Sequence, residues 1–317
     1  MILTLTPNPS VDQTIALAGG LSRGQVQRAD AVISQAGGKG VNISRASVSA
    51  GIPTVAIVPA AKDDPFVIEL LAAGIDCRPV RPAGQVRVNV AITEPDGTTT
   101  KLNSPGATVG AQHLEDMADA LVARAATSDW TVLAGSLPAG APSTFYADVV
   151  RRLRGVARQV AVDTSEAPLR ALVDALPESA PDLMKPNGDE LASFTGGDPE
   201  ELESDPAKAA EAARTLVDRG VRAVLATLGA HGAVLVTAEG AWHAAPPPTT
   251  VVSTVGAGDS SLFGYILGDI RGLPAPERLA LAVAYGSAAA SLPGTTIPEP
   301  GHLRTELVAV TALGGTS

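Results

Sequence analysis

The sequence predicts an α/β fold: a mostly parallel sheet between two layers of helices, with a small β appendage. Three observations lead there. From Gly106 onward, short apolar runs alternate with helix-length amphipathic segments, the pattern of βα units that place helices on both faces of a parallel sheet. Two glycine turns, Gly37-Gly38-Lys39-Gly40 and Gly256-Ala257-Gly258, each run straight into a helix-forming stretch. Between Val11 and Ser34 the chain reads as short β-like pieces separated by glycines, with no helix.

In chain order, the first strand spans Met1 to Thr6 and is stopped by Pro7 and Pro9. Thr14 to Leu17, Val26 to Arg28 and Ala31 to Ser34 are expected in a small sheet outside the main core. The glycine turn at 37–40 opens a helix through Ala50. Strand Thr54 to Val58, helix Phe66 to Ala73 and strand Asp76 to Val80 follow. Gln85 to Thr93 and Thr98 to Asn103 alternate around Pro95-Asp96-Gly97, a hairpin signal. The regular part then predicts helices over Gln112–Ala125, Ser143–Arg154, Pro168–Ala175, Asp189–Phe194 and Pro206–Arg219. Between them fall strands Trp130–Ala134, Gln159–Asp163, Asp182–Met184 and Ala223–Thr227, while Asp198 to Asp205 reads as an acidic surface loop. A hairpin of Ala233–Thr237 with Ala241–Ala244 and the breaker Pro246-Pro247-Pro248 lead to an apolar β-branched opening strand from Val251. Helices Ser260–Arg271 and Ala275–Ala290 finish the core. With no linker and no repeat, one domain over residues 1–317 is expected.

Composition narrows the function. A formal charge of −10 argues against nucleic-acid binding, which needs a basic surface. The single cysteine, Cys77, cannot form an internal disulfide, and His113, His231, His243 and His302 show no metal-ligand spacing. The N-terminus lacks a signal-peptide pattern and no window approaches a membrane span, so a cytoplasmic protein without membrane partners is expected.

The chemistry concentrates at helix starts and strand ends. Unpaired N–H groups at Gly256, Ala257 and Gly258 would hold an anion, and residues without bulky side chains let a phosphate come close. Asp259 beside that anion hole would repel a phosphate, which makes sense if it accepts a proton from an attacking hydroxyl; a helix cap is the plainer alternative. Lys39 offers a point charge to a phosphorylated substrate and Asn42 a hydrogen bond to a sugar or phosphate oxygen. Asp12 could receive two hydroxyls of a polyol, and Arg87, on an alternating strand, could point toward a ligand, as could Arg28. In Lys185-Pro186-Asn187-Gly188-Asp189-Glu190, Asn187 and Glu190 have the spacing of a helix cap, or would organise the water shell of a magnesium ion. Thr227-Leu228-Gly229-Ala230-His231-Gly232 ends a strand where backbone could lie close to phosphates, though a hairpin turn accounts for it nearly as well.

Singly these signals are modest, but their order is specific. Asn8-Pro9-x-x-Asp12, Gly37-Gly38-Lys39-Gly40-Val41-Asn42, Gly135-Ser136-Leu137-Pro138, Lys185-Pro186-Asn187-x-x-Glu190, Thr227-Leu228-Gly229-x-x-Gly232 and Gly256-Ala257-Gly258-Asp259-Ser260 together resemble the PfkB family of ribokinase-like carbohydrate kinases. The likeness is greatest to its 1-phosphofructokinase and tagatose-6-phosphate kinase branch. It implies a ribokinase-like three-layer α/β/α domain with a β-sheet lid near 10–35 and 85–104, ATP with Mg2+, room for a monovalent cation, and a homodimer through the lid. It also implies roles: Asp259 as base with Gly256, Ala257 and Gly258 as anion hole. Asp12, Arg28, Gly38, Lys39, Asn42, Arg87 and Ser136 would hold the sugar phosphate. Lys185, Asn187, Thr227, Gly229, Gly232 and Ser287 would lie along ATP, with Asn187 and Glu190 meeting the metal through water.

Three stretches depart from the resemblance. Ala60-Ala61-Lys62-Asp63-Asp64-Pro65 stands where relatives carry Gly-x-x-Gly, Asn103-Ser104-Pro105-Gly106-Ala107 where Asn-Glu-Pro-Gly-Pro is usual, and Phe263 where a small residue is usual. The first two fall on the sugar side and the third beside the anion hole. The expected reaction is ATP-dependent phosphorylation of a ketohexose phosphate, fructose 1-phosphate to fructose 1,6-bisphosphate. Tagatose-6-phosphate or fructose-6-phosphate kinase, a ribose or nucleoside kinase, and a non-catalytic sugar-phosphate or nucleotide sensor are the alternatives.

Overall fold

A computed structural model describes residues 1–314. Residues 315–317 of the expected domain lie outside the described residues. Strand β1 (Ile2–Leu5) is followed by β2 (Ser10–Leu17) and β3 (Ala29–Gly37), helix α1 (Lys39–Ser49), β4 (Thr54–Pro59), α2 (Pro65–Ala72) and β5 (Asp76–Val80). Strands β6 (Arg87–Thr93) and β7 (Thr99–Leu102) form the expected hairpin. Then come α3 (Ala111–Ala125), β8 (Trp130–Ala134), α4 (Phe145–Leu153), β9 (Val160–Asp163), α5 (Glu166–Asp174), β10 (Leu183–Met184) and α6 (Gly188–Thr195). The chain continues through α7 (Pro199–Ser204), α8 (Pro206–Val217), β11 (Ala223–Thr227), β12 (Ala233–Thr237), β13 (Gly240–Ala245), α9 (Ala257–Ile270), α10 (Ala275–Ala290) and β14 (Ala309–Leu313).

A ten-stranded sheet runs in the order β14-β13-β12-β11-β10-β9-β8-β1-β4-β5. It is parallel from β11 to β5 and antiparallel from β11 to β14. Strand alternation divides its side chains between two cores. Leu3, Leu5, Leu133, Val162, Met184 and Val224 meet Met117, Leu121, Val149 and Leu216 of the α3–α8 layer. Ile2, Val132, Ala161, Leu183 and Leu225 meet Ile43 of α1 and Leu262, Ile266 and Val283 of α9 and α10. This gives three layers. The residues whose neighbours alternate in sequence are therefore buried on both sides, and the loops that carry polar groups leave from the carboxyl ends of the parallel strands.

A second sheet, of order β3-β2-β6-β7, covers the predicted appendage. Two of its strands, β2 and β3, start earlier than local sequence indicates: β2 begins at Ser10, because residues 10–16 pair with β6 on one side and 10–17 with β3 on the other. Three further expectations fail for tertiary reasons. Val26–Arg28 is not a strand but exposed chain ahead of β3. The acidic segment 198–205 is not a bare loop: Asp198 accepts a hydrogen bond from the Glu201 amide at 2.9 Å, Pro199 starts α7, and Leu202 is buried against the core. No strand opens at Val251. The amides of Val252 and Ser253 instead bond the carbonyl of Ala290 at 2.8 and 3.2 Å, at the end of α10. The edge of β13 is taken by β14, a strand that sequence reading missed. Among the described residues no helix is long and apolar enough to cross a membrane.

Candidate active site

The start of α9 makes the predicted cradle. Gly256 has φ of 78°, a left-handed turn that costs a side-chain-bearing residue energy, and it swings the chain so that α9 begins at Ala257 with its first amides free of helical partners. Asp259 sits in the first turn of that helix and is buried. Its Oδ2 accepts a hydrogen bond of 2.7 Å from Asn42 Nδ2 of α1. Asn42 and Asp259 are 217 residues apart in sequence, so the two helices that follow the glycine turns meet at one carboxylate. Burial raises the Asp259 pKa to about 6; the negative charge of Asp163 adds to the rise, and Lys39, Asn42 and Lys185 oppose it.

Around Asp259 lies a charge cluster that the sequence did not reveal. Asp163, the last residue of β9, is wholly buried, with Lys39 Nζ at 2.7 Å from Oδ1 and Lys185 Nζ at 3.3 Å from Oδ2. Burial works against the Asp163 charge, but the two lysines outweigh it and hold its pKa below the usual carboxylate value. Burial also works against the Lys39 charge, and Asp163 with Asp259 outweighs it, so that lysine stays charged. Lys185 closes on the cradle: a Cβ at Gly258 would stand 3.2 Å from its Nζ. Asp163 was missed because a lone acid at a strand end carries no motif. Its signal was position, the carboxyl end of a parallel strand, where ligands of such sheets sit.

The small sheet presents its polar face beside β1. Asp12 Oδ1 accepts from Ser10 Oγ at 2.8 Å and from Asn89 Nδ2 at 3.0 Å, while Asn89 Oδ1 and Arg87 Nε are buried without partners. Arg87 also donates to the Ser104 carbonyl at 2.9 Å; burial lowers its pKa and the nearby Asp12 charge opposes that. Asn8 Nδ2 approaches Ser136 Oγ at 3.4 Å and the carbonyls of Pro105 and Leu137 at 3.3 and 3.5 Å. The atypical 103–107 segment is thus the wall behind Arg87. Asn8 and Asn89 were overlooked, although Asn89 stands two residues from Arg87 and so shares its face. Gly38 precedes α1, next to Lys39. Arg28 is the exception: it is exposed, ahead of β3, and makes no side-chain hydrogen bond or ion pair among the described residues. The other atypical segment, 60–65, starts α2, where Asp64 caps the amide of Phe66 at 2.9 Å.

On the far side, the cap reading of Asn187 and Glu190 holds. Asn187 Oδ1 accepts from the Glu190 amide at 2.8 Å, and Glu190 Oε2 accepts from the Asn187 amide at 3.0 Å. Burial raises the Glu190 pKa, Lys185 opposes that and Asp163 adds to it. Asn187 forms an isolated parallel bridge with Thr227, which brings those two strand ends together. Gly229 is the first residue of a single 3₁₀ turn joining β11 to β12, and Gly232 follows its end. Ser287 is half-buried on α10, which packs along α9.

A three-layer sheet whose strand ends gather a helix-start cradle, a buried carboxylate of raised pKa and two lysines defines a phosphotransferase with an alcohol acceptor. The sequence pattern described as pfkB family carbohydrate kinase matches residues 6–301. The chain is 37% identical to the 1-phosphofructokinase of Rhodobacter capsulatus over 306 residues, covering 95% of this chain and 94% of that protein. It is 34% identical to the 1-phosphofructokinase of Escherichia coli strain K12 over 292 residues, 92% of this chain and 91% of that one. The fold is similar to that of phosphofructokinase-2 from Escherichia coli in complex with substrates and products, with a TM-score of 0.86, 26% identity and coverage of 96% and 97%. The chain belongs to the pfkB family of carbohydrate kinases.

Proposed function

We propose that this protein transfers the γ-phosphoryl group of ATP to a hydroxyl of a ketohexose phosphate, converting fructose 1-phosphate to fructose 1,6-bisphosphate. The observation that carries this reading is the contact of Asp259 with Asn42 at 2.7 Å beside the paired Lys39 and Lys185. With a pKa of about 6 Asp259 is ionised at neutral pH, yet basic enough to take a hydroxyl proton. As it does so, the sugar oxygen bonds the γ-phosphorus, the bond to the bridging oxygen breaks, and ADP leaves. Amides at the start of α9 and the Lys185 ammonium take the charge on the moving group.

Two cationic side chains, Lys39 and Arg87, favour an acceptor that already carries phosphate. Asp12 and Asn89 offer it hydroxyl partners, with Asn42, Gly38 and Ser136 completing the sugar side. Lys185, Asn187, Thr227, Gly229, Gly232 and Ser287 would line the nucleotide. Among the described residues no group of three or more His, Cys, Asp or Glu side chains could hold a metal alone, so magnesium would be held by Glu190 through water together with substrate phosphates. When bound, it would neutralise phosphate oxygens. The β2-β3-β6-β7 sheet is the lid in this reading. Its register puts Val32, Val88 and Leu102 on the face opposite Asp12, all at least 40% exposed, which supports a homodimer formed through that face.

The test is ATP consumption across a panel of fructose 1-phosphate, fructose 6-phosphate, tagatose 6-phosphate, fructose and ribose, with magnesium and with or without potassium. The highest kcat/KM is expected with fructose 1-phosphate. A preference for an unphosphorylated sugar, or no turnover with any acceptor, would overturn the assignment.

A further inference from the structure

On that kinase reading, we propose that Asp163 is a positioning residue: one buried carboxylate clamps Lys39, on the sugar side, and Lys185, on the cradle side, so that both ammonium groups stay aimed. The geometry is a bridge, with Nζ–O distances of 2.7 and 3.3 Å to the two oxygens of a side chain that has no exposure. Its two arms differ. The Lys39 side chain is 35% exposed and so open to an incoming anion, whereas that of Lys185 is 5% exposed and lies against Gly258. Without the carboxylate two ammonium groups would face each other in a poorly solvated pocket and turn apart.

The backbone that carries Asp163 is itself fixed. Its carbonyl accepts from the Gly135 amide at 2.9 Å, and the Gly135 carbonyl accepts from Tyr146 Oη at 2.9 Å and Thr164 Oγ1 at 3.0 Å. Those bonds lock the end of β9 to the end of β8, the rigid support that a side chain needs if it is to hold others in register. The Lys185 contact is an ion pair at 3.3 Å without an aligned hydrogen bond at Oδ2, so it is the looser arm of the bridge. Asp163 also acts at a distance on the base. Charges facing Asp259 come from Lys39 of α1, Asp163 of β9 and Lys185 after β10, with Asn42 bonded directly.

Full-length Asp163→Asn and Asp163→Glu enzymes, assayed with fructose 1-phosphate and ATP from pH 5 to 9, test the proposal. Misaimed lysines should lower kcat of Asp163→Asn by roughly 10²-fold and raise KM for fructose 1-phosphate, whose phosphate Lys39 would hold, while KM for ATP moves less than about 5-fold. The acid limb of its pH profile should move to lower pH, because a like charge near Asp259 is gone. Asp163→Glu should recover part of kcat. A kcat within about 3-fold of wild type, or a loss with both KM values raised and the acid limb in place, would overturn it. A measurement on the wild type covers a variant that does not fold. Acetic anhydride should label Lys39 far more slowly than the exposed Lys62, read by mass spectrometry, and equal labelling would also overturn the clamp. That protection is independent of turnover, so a wild type that phosphorylates no sugar phosphate would sink the kinase reading alone.

Discussion

Replacing Asp259 by Asn separates the chemistry of this site from its stability. The amide keeps the shape, and its oxygen can still accept from Asn42, so the pocket is preserved while the proton acceptor is lost. A general base contributes about 10²- to 10⁴-fold, so kcat should fall by that much, or about 2.7–5.4 kcal/mol of barrier. Stability should move the other way. The carboxyl pKa is raised from 3.8 to about 6 in the folded protein, chiefly by burial, so its ionised form is disfavoured by folding. That destabilisation is absent below the unfolded value of 3.8, grows as pH rises toward about 6, and is complete above it, at roughly 3 kcal/mol for a shift of about two units. At pH 7.5 Asp259→Asn should therefore melt at the same temperature or a few degrees higher, and the gap should close toward pH 4. In the wild type, kcat/KM should fall about tenfold per pH unit below about pH 6, as the base protonates. The assays are coupled ADP release and calorimetric melting across pH. A variant within about 3-fold of wild-type kcat, or a wild-type acid limb below pH 5, would refute the reasoning.

Three other outcomes follow from distances already described. Arg87→Ala should raise KM for the sugar phosphate by about 10- to 100-fold and leave KM for ATP within about 2-fold, since Arg87 lies with Asp12 and Ser104 away from the cradle. Equal effects on both substrates in steady-state kinetics would contradict its assignment to the acceptor. Glu190→Gln keeps a residue that can complete the cap on Asn187, so the melting temperature should hold while the magnesium concentration for half-maximal rate rises about tenfold; an unchanged magnesium curve would remove Glu190 from the metal. Gly264→Ala would put a Cβ 2.6 Å from the Leu281 carbonyl and 2.9 Å from the Ala282 Cα, so α9 and α10 must separate, at about 1–3 kcal/mol in chemical denaturation. No loss would mean that the two helices are less tightly apposed than described.

Phe263, one departure from the expected pattern, packs away from solvent between two helices. It is fully buried and meets Tyr285 edge-to-face at 5.1 Å, so the larger side chain fills space between α9 and α10 instead of crowding the cradle.

Local sequence determined what depends on nearest neighbours. The period of apolar residues marked Trp130–Ala134, Ala223–Thr227 and Ala275–Ala290 to the residue, and the glycine turn before Lys39 located the start of α1, while α9 begins at Ala257, ahead of the expected Ser260. The motif order was enough to name Asp259, Lys39, Asn42 and Lys185, because anion-holding helix starts have a local composition. What the tertiary structure decided is what depends on distance through space. Asp163 and Asn89 carry no motif and became visible only when β9 and β6 were placed beside α1 and β2. Val251–Val255 has the β-branched character of a strand, yet its amides at Val252 and Ser253 bond the end of α10, whereas β14, at Ala309–Leu313, pairs with β13. Strand pairing and pKa are properties of neighbours brought from far along the chain, so the residues themselves cannot state them: burial raises the Asp259 pKa, and Asn42, a partner 217 positions away, opposes the rise.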